Sequence, residues 1–173
     1  MKKYLLTTIL MTVMTLCGGV VKAQNYVVVD SEKIFKSIES YNAAVKELES
    51  QGEAYQKQID EAFDQLEQEY NAYQNAKAGY TATQRQNAER KILNREEEIT
   101  KFQEQVFGDE GTMMKLREEK LKPIQDRVFK LIDEYAVKNG YGLVLDVASN
   151  PTVLYYSPAM DKTQEIIKIV NNN

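Results

Sequence analysis

The stretch YNAAVKELESQGEAYQKQIDEAFDQLEQEYNAY, residues 41–73, decides how this chain is built. Tyr41, Val45, Leu48, Gly52, Tyr55, Ile59, Phe63, Leu66, Tyr70 and Tyr73 recur at spacings of four and three, and the residues between them are mostly Glu, Gln, Lys, Asp, Asn and Ala. So narrow a stripe suits the seam of a coiled coil; a helix lying on a broad core carries a wider apolar face. At about 1.5 Å per residue, the run from 41 to 78 reaches on the order of 55 Å.

The next segment supplies the partner. In KAGYTATQRQ (77–86), Gly79 reads as the residue just past a helix C-terminus, and Thr81 followed by Gln84 fits a capping box for a new helix. The chain is therefore expected to turn and come back. The return leg carries Ile92, Ile99, Phe102, Val106, Met113 and Leu116. Gly108 and Gly111 each weaken it by about 1 kcal/mol against alanine and read as a hinge, not as a second turn. Pro123 predicts a kink or restart. Beyond it Ile124, Val128, Leu131, Ile132 and Tyr135 form a denser apolar face, ending at Asn139-Gly140.

The two chain ends read differently. NYVVVD (25–30) is a short strand, apolar on both faces, and SEKIFKSI (31–38) a helix with Ser31 as its cap. YGLVLDVASNPTVLYYS (141–157) holds two β-type runs, 141–148 and 153–156, about a Ser149-Asn150-Pro151 turn, and reads as a hairpin. A last helix, capped by Asp161, presents Ile166, Ile167 and Val170. Three short strands with open edges cannot cover themselves. Val27, Val29, Leu143, Leu145, Val147 and Leu154 are expected to pool with those of further copies in a shared β-core. The expected fold class is α+β, a small oligomeric β-body (24–40 and 121–173) bearing a long antiparallel helical hairpin arm (41–120) with its tip near 77–83.

Lys2 and Lys3 precede an apolar run from Tyr4 to Leu16, and Val21-Lys22-Ala23 ends a small-residue stretch. This reads as a secretory signal peptide, 1–23, cleaved before Gln24, and places the protein in the periplasm or an equivalent space. The run is short for an uncleaved membrane anchor, and Leu16 before Cys17 argues against a lipoprotein. The formal charge of the whole chain is −4, and the expected signal holds three lysines and no acid, so the remainder is more acidic still. That balance argues against nucleic acid and against an anionic membrane surface.

No chemistry of a catalytic kind is legible. The chain has no histidine, and its single cysteine, Cys17, falls in the signal. The commonest bases, nucleophiles and soft metal ligands are therefore missing. Glu96 to Glu98 and Asp109-Glu110 read as solvated helix surface, as do Lys77, Arg85, Arg90, Lys91 and Arg95 near the tip. No cofactor, metal site or enzyme activity is expected. The arm aromatics are the remaining candidates: Tyr55, Phe63, Tyr70, Tyr73, Tyr80, Phe102 and Phe107. They either zip the legs together or face outward, presenting apolar area, with a polar tip on each tyrosine.

Strand plus EKIF, a charged hairpin with KAG at its tip, then GYGLVLDV, VLYYS, DKT and a terminal helix resemble the Skp/OmpH family of periplasmic chaperones, over essentially the whole chain after the signal. The resemblance implies a homotrimer. A β-barrel body would join three subunits, whose arms enclose a cavity that holds unfolded outer-membrane proteins without ATP. The family's best-described member is basic and contacts lipopolysaccharide and membranes; this chain is acidic, so no such contact is carried over. The competing reading is a structural or adaptor coiled coil of the envelope, binding one folded partner.

Overall fold

The computed structural model describes residues 25–148, 150 and 152–172. The expected signal segment lies outside the described residues, as do Ser149 and Pro151 of the expected turn. Among the described residues the order is β1 (Tyr26–Val29), α1 (Ser31–Lys36), α2 (Glu39–Ala76), α3 (Ala82–Phe107), α4 (Thr112–Asn139), β2 (Leu143–Asp146) and α5 (Thr163–Asn172). Single 3-10 turns stand at Lys77–Gly79 and Pro158–Met160. Long helices with one small sheet make the chain α+β.

β1 and β2 pair in parallel, Tyr26 opposite Leu143 and Val29 opposite Asp146. Parallel strands need a crossover connection, and here the crossover is the whole helical excursion between them. The expected hairpin does not form: β2 is confined to Leu143–Asp146, and 153–157 holds no regular structure. The reason lies in β1. The carbonyls of Asn25 and Val29 accept from Gly142 and Val147 on the β2 side, while the Val28 carbonyl points the other way and accepts from Lys162 N–H at 2.9 Å. Val28 also bridges Asp161 there. Both edges of β1 are therefore taken, and the chain after Asn150 must travel to β1's far side. Asn150 does make its turn, its Oδ1 accepting from Thr152 N–H at 3.1 Å. The run beyond leaves Leu154 92% and Tyr155 85% exposed.

Helix boundaries follow capping chemistry. The cap of α1 is Asp30, whose Oδ1 accepts from Lys33 N–H at 3.0 Å, and not Ser31. Ser31 is engaged elsewhere: its N–H and hydroxyl both donate to the Asp146 carboxylate, at 3.0 and 2.5 Å. The α3 start matches expectation, with Thr81 and Gln84 forming the reciprocal box. Gly79 is not a left-handed C-terminal residue, because α2 ends by tightening into the 3-10 turn; Gly140 is, with φ 71°, closing α4. Asp161 Oδ1 accepts from Thr163 N–H at 2.9 Å and so helps start α5.

The expected kink at Pro123 is corrected. The interruption falls at 108–111, where α3 ends and α4 begins, and Pro123 lies inside an unbroken α4. Pro123 and Glu119, whose carbonyl loses its donor, are both exposed, so solvent can replace the missing bond. Leu121 and Val128, buried on either side, hold both halves of the helix in place. At the interruption the glycines are needed for space. A Cβ on Gly108 would come within 2.5 Å of the Glu104 carbonyl oxygen, and one on Gly111 within 2.6 Å of that of Val106.

The core lies where the chain ends meet. Val29, Ile34, Ile38, Val128, Ile166 and Val170 form one buried cluster, with Ile34, Val128 and Ile166 fully inaccessible. It joins β1 and α1 to α4 and α5, so the first and last described elements share one interior. Each fully buried aliphatic contributes about 1.5–3 kcal/mol of transfer free energy.

Candidate functional site

α2 lies against α3 in the opposite sense and continues against the first part of α4. The cross-helix contacts show the direction. Tyr73 Oη donates to Glu89 Oε1 at 2.5 Å, Lys91 pairs with Glu69 at 3.1 Å, and the Tyr55 and Phe102 rings stand 6.3 Å apart. Farther down, Lys120 pairs with Glu47 at 2.9 Å. Between these links a single seam is buried: Leu48, Ile59 and Tyr73 from α2, Ile99 and Val106 from α3, Leu121 from α4.

This pairing sorts the seven arm aromatics. Tyr55 and Phe102 meet edge-on across the seam, and Tyr73 contacts Tyr80 at 6.3 Å while bonding Glu89. That carboxylate, with burial, holds the Tyr73 phenol above its usual pKa. Phe63, Tyr70 and Phe107 are instead 40–47% exposed. The seven are therefore not one surface. Four face the partner leg, and three spread apolar area toward solvent over most of the pair's length.

The glycine interruption opens a cleft of about 380 Å³ between α2 and α4. Val45, Leu48, Phe107, Met113, Met114 and Leu121 line it, and Glu49, Asp109 and Arg117 are also at its walls. Sequence reasoning named the glycines as a bend but missed the cleft. The signal was Phe107 and Met113-Met114 bracketing two glycines, an apolar cluster around a helix break.

The residues expected in an oligomer body divide as well. Val27 and Val29 are buried within one chain, at 3% and 4% exposure. Leu145 and Val147 are half-buried, while Leu143 is 53% and Leu154 92% exposed. Among the described residues β2 pairs only with β1, so its outer edge is open, and Leu143 on that strand is exposed.

At the end of the sheet a polar clasp joins the two chain ends. Besides Ser31, Asp146 accepts from Ala148 N–H at 3.1 Å, and Asp30 N–H donates to the Thr163 hydroxyl at 2.9 Å. Burial pushes the Asp146 carboxyl up, but the Ser31 and Ala148 donors outweigh it and hold it below the usual carboxylate value. Asp30 is lowered in the same way, burial being overcome by Lys33, whose ammonium lies 2.7 Å away. No group of acidic residues among those described could hold a metal ion, and no helix there is long and apolar enough to cross a membrane.

A family model described as "Outer membrane protein (OmpH-like)" matches residues 25–170. The chain belongs to the OmpH-like family. Members are periplasmic chaperones acting on outer-membrane proteins, and they are generally not enzymes. The match spans both the helix pair and the sheet that joins the termini, so the OmpH-like assignment reaches every element described above and stops only in the last turn of α5. No curated protein matches the chain.

Proposed function

We propose that this protein is an ATP-independent holdase, which assembles as a homotrimer through its terminal sheet and binds unfolded outer-membrane proteins between projecting helical arms. The observation that carries the reading is the contrast along each leg. A thin buried seam leaves Phe63, Tyr70 and Phe107 half-exposed on helices whose remaining surface is mostly charged and polar. Such scattered aromatics offer many weak contacts without a fixed geometry, which suits clients of varied sequence. The open β2 edge, which carries the exposed Leu143, supports assembly, because an isolated edge of this kind invites pairing, and the exposed Leu154 and Tyr155 add apolar surface for a partner. The 108–111 interruption supports a bend that would adjust the cavity to client size.

The test has two parts. Light scattering on the purified protein should give the mass of three chains, and a monomer at micromolar concentration would exclude the cage. Dilution of several unrelated urea-unfolded outer-membrane barrels into the protein should leave them soluble without nucleotide. A protein that ignored them and captured one folded partner would be an adaptor instead.

A further inference from the structure

The cleft at the glycine interruption has a defined lining, apolar with three charged side chains. We propose that it receives one aromatic side chain, flanked by a basic residue, from an unfolded outer-membrane strand. This rests on the chaperone reading above and goes beyond it, since that reading needs only diffuse contacts.

The cleft's volume, about 380 Å³, lies within the roughly 300–1,000 Å³ of small-molecule sites and accommodates one ring with its neighbours. Its lining selects for an aromatic. Methionine sulfur, in Met113 and Met114, makes favourable contacts with ring edges and adapts to different rings. The Arg117 guanidinium can lie over a ring face. Phe107, 41% exposed, offers a ring edge or face. An aliphatic guest would gain burial but none of these added terms. The charges commit the guest further. Glu49, Asp109 and Arg117 line the cleft without an ion-pair partner among the described residues, so the acids outnumber the base. A lysine or arginine beside the guest aromatic would meet Glu49 or Asp109. Outer-membrane barrel strands carry such aromatics in girdles at both membrane interfaces.

The fold keeps the cleft open. The interruption ends α3 at Phe107 and starts α4 at Thr112, so Phe107 and Met113 flank a gap in the helix wall. Gly52 on α2 leaves space that the Met113 side chain uses: its methyl carbon lies 3.7 Å from where a Gly52 Cβ would stand. A leucine at position 52 would displace Met113 into the cleft.

Methyl NMR tests this, because Met113, Met114 and Met160 are the methionines among the described residues and Met160 lies outside the cleft. The protein, with ¹³C-methyl methionine, would be titrated with the capped peptides Lys-Trp-Lys and Lys-Leu-Lys. The protein contains no tryptophan, so peptide fluorescence gives an independent binding curve. The expected result is ring-current movement of the Met113 and Met114 signals but not of Met160, with the Trp peptide on the order of fivefold tighter than the Leu peptide. Arg117→Gln should reduce that preference to about twofold. Gly52→Leu should abolish the shifts, with the unchanged Met160 signal reporting an intact fold. Equal movement of all three methionines, or equal affinity for both peptides, overturns the proposal. So do Met113 and Met114 shifts that appear on raising protein concentration alone, which would put a second copy in the cleft. Aggregation suppression without peptide-induced shifts would remove the cleft and leave the chaperone reading standing. Shifts without suppression would do the reverse.

Discussion

The core at the joined chain ends and the seam between the long helices are built from similar aliphatic residues but bury them differently. In the first, Ile34, Val128 and Ile166 have no exposure and contact side chains from several elements. In the second, Ile59 and Ile99 are nearly as inaccessible, yet each belongs to a line one residue wide with solvent on both flanks. The difference separates rigidity from reach. A compact core fixes four elements at the termini, and a thin seam carries apolar surface far from that core on little buried area. Such a seam unfolds locally at low cost, which is where adaptable binding surfaces are found.

The comparison is most exposed to a substitution at its strong end. Ile166→Ala should cost about 2–5 kcal/mol, because neighbours packed on all sides cannot collapse into the gap. Denaturant melts followed by circular dichroism would measure it, and a loss below about 1 kcal/mol would show that the termini are not the stable centre. At the weak end, Ile59→Ala should cost about 2 kcal/mol, the low end for such a change, since flanking side chains can close over the space. Its effect should also be local. Hydrogen exchange should accelerate in α2 and α3 while β1 and α5 keep their protection. Equal acceleration everywhere would mean that core and seam unfold as one unit.

The clasp between Ser31 and Asp146 sharpens the comparison at a polar position. Asp146→Asn should cost on the order of 1 kcal/mol at pH 7, since charged hydrogen bonds are involved but solvent reaches them. The sign of the pH dependence follows from the carboxyl being lowered in the folded state. Its stabilisation is fully present above the unfolded value of 3.8 and is lost as pH falls through the lower folded value. Acid melts of the two proteins should therefore differ by a constant amount above pH 3.8 and draw together as pH falls below it toward the lower folded value. A constant difference from pH 7 to pH 3 would assign the effect to shape and not to charge.

The seam was the easier of the two regions to read from sequence, and the reason is range. A stripe at spacings of three and four is visible within one segment, so Leu48, Ile59 and Ile99 could be placed on facing legs, and Thr81 with Gln84 marked where the second leg starts. Strand pairing is a long-range property. Nothing near Val153–Tyr156 shows that β1 is already occupied on both sides by Gly142–Val147 and Asp161-Lys162, so by local pattern the run reads as a third strand. Pro123 misled for a similar reason. Its cost is set by whether the orphaned Glu119 carbonyl faces solvent, which depends on how the helix sits. Gly108 and Gly111 stand at the helix interruption, but helix propensity gives only their cost in free energy. It does not show that their neighbours, Glu104 and Val106, leave no room for a Cβ. Of the candidate aromatics, the split between paired and exposed required the leg register, which the sequence left open.

The smallest effect belongs to the far end of the seam. Tyr73 is buried there and its hydroxyl reaches Glu89 across the pair, so Tyr73→Phe removes one hydrogen bond to a charged group and keeps the ring. Glu89 is exposed and can be resolvated, which confines the loss to roughly 0.5–1.5 kcal/mol. The change should be undetectable in a global melt if the legs open from the turn at Lys77–Gly79 before the core unfolds. It should be plain as faster hydrogen exchange at residues 70–90. Tyr73→Ala, which also removes the Tyr80 contact, should extend that fast exchange farther down both legs. If Tyr73→Phe instead lowers the midpoint of the whole protein, the seam is coupled to the terminal core along its full length. The legs would then move as a rigid unit, and any adjustment to a client would have to occur at the 108–111 interruption alone.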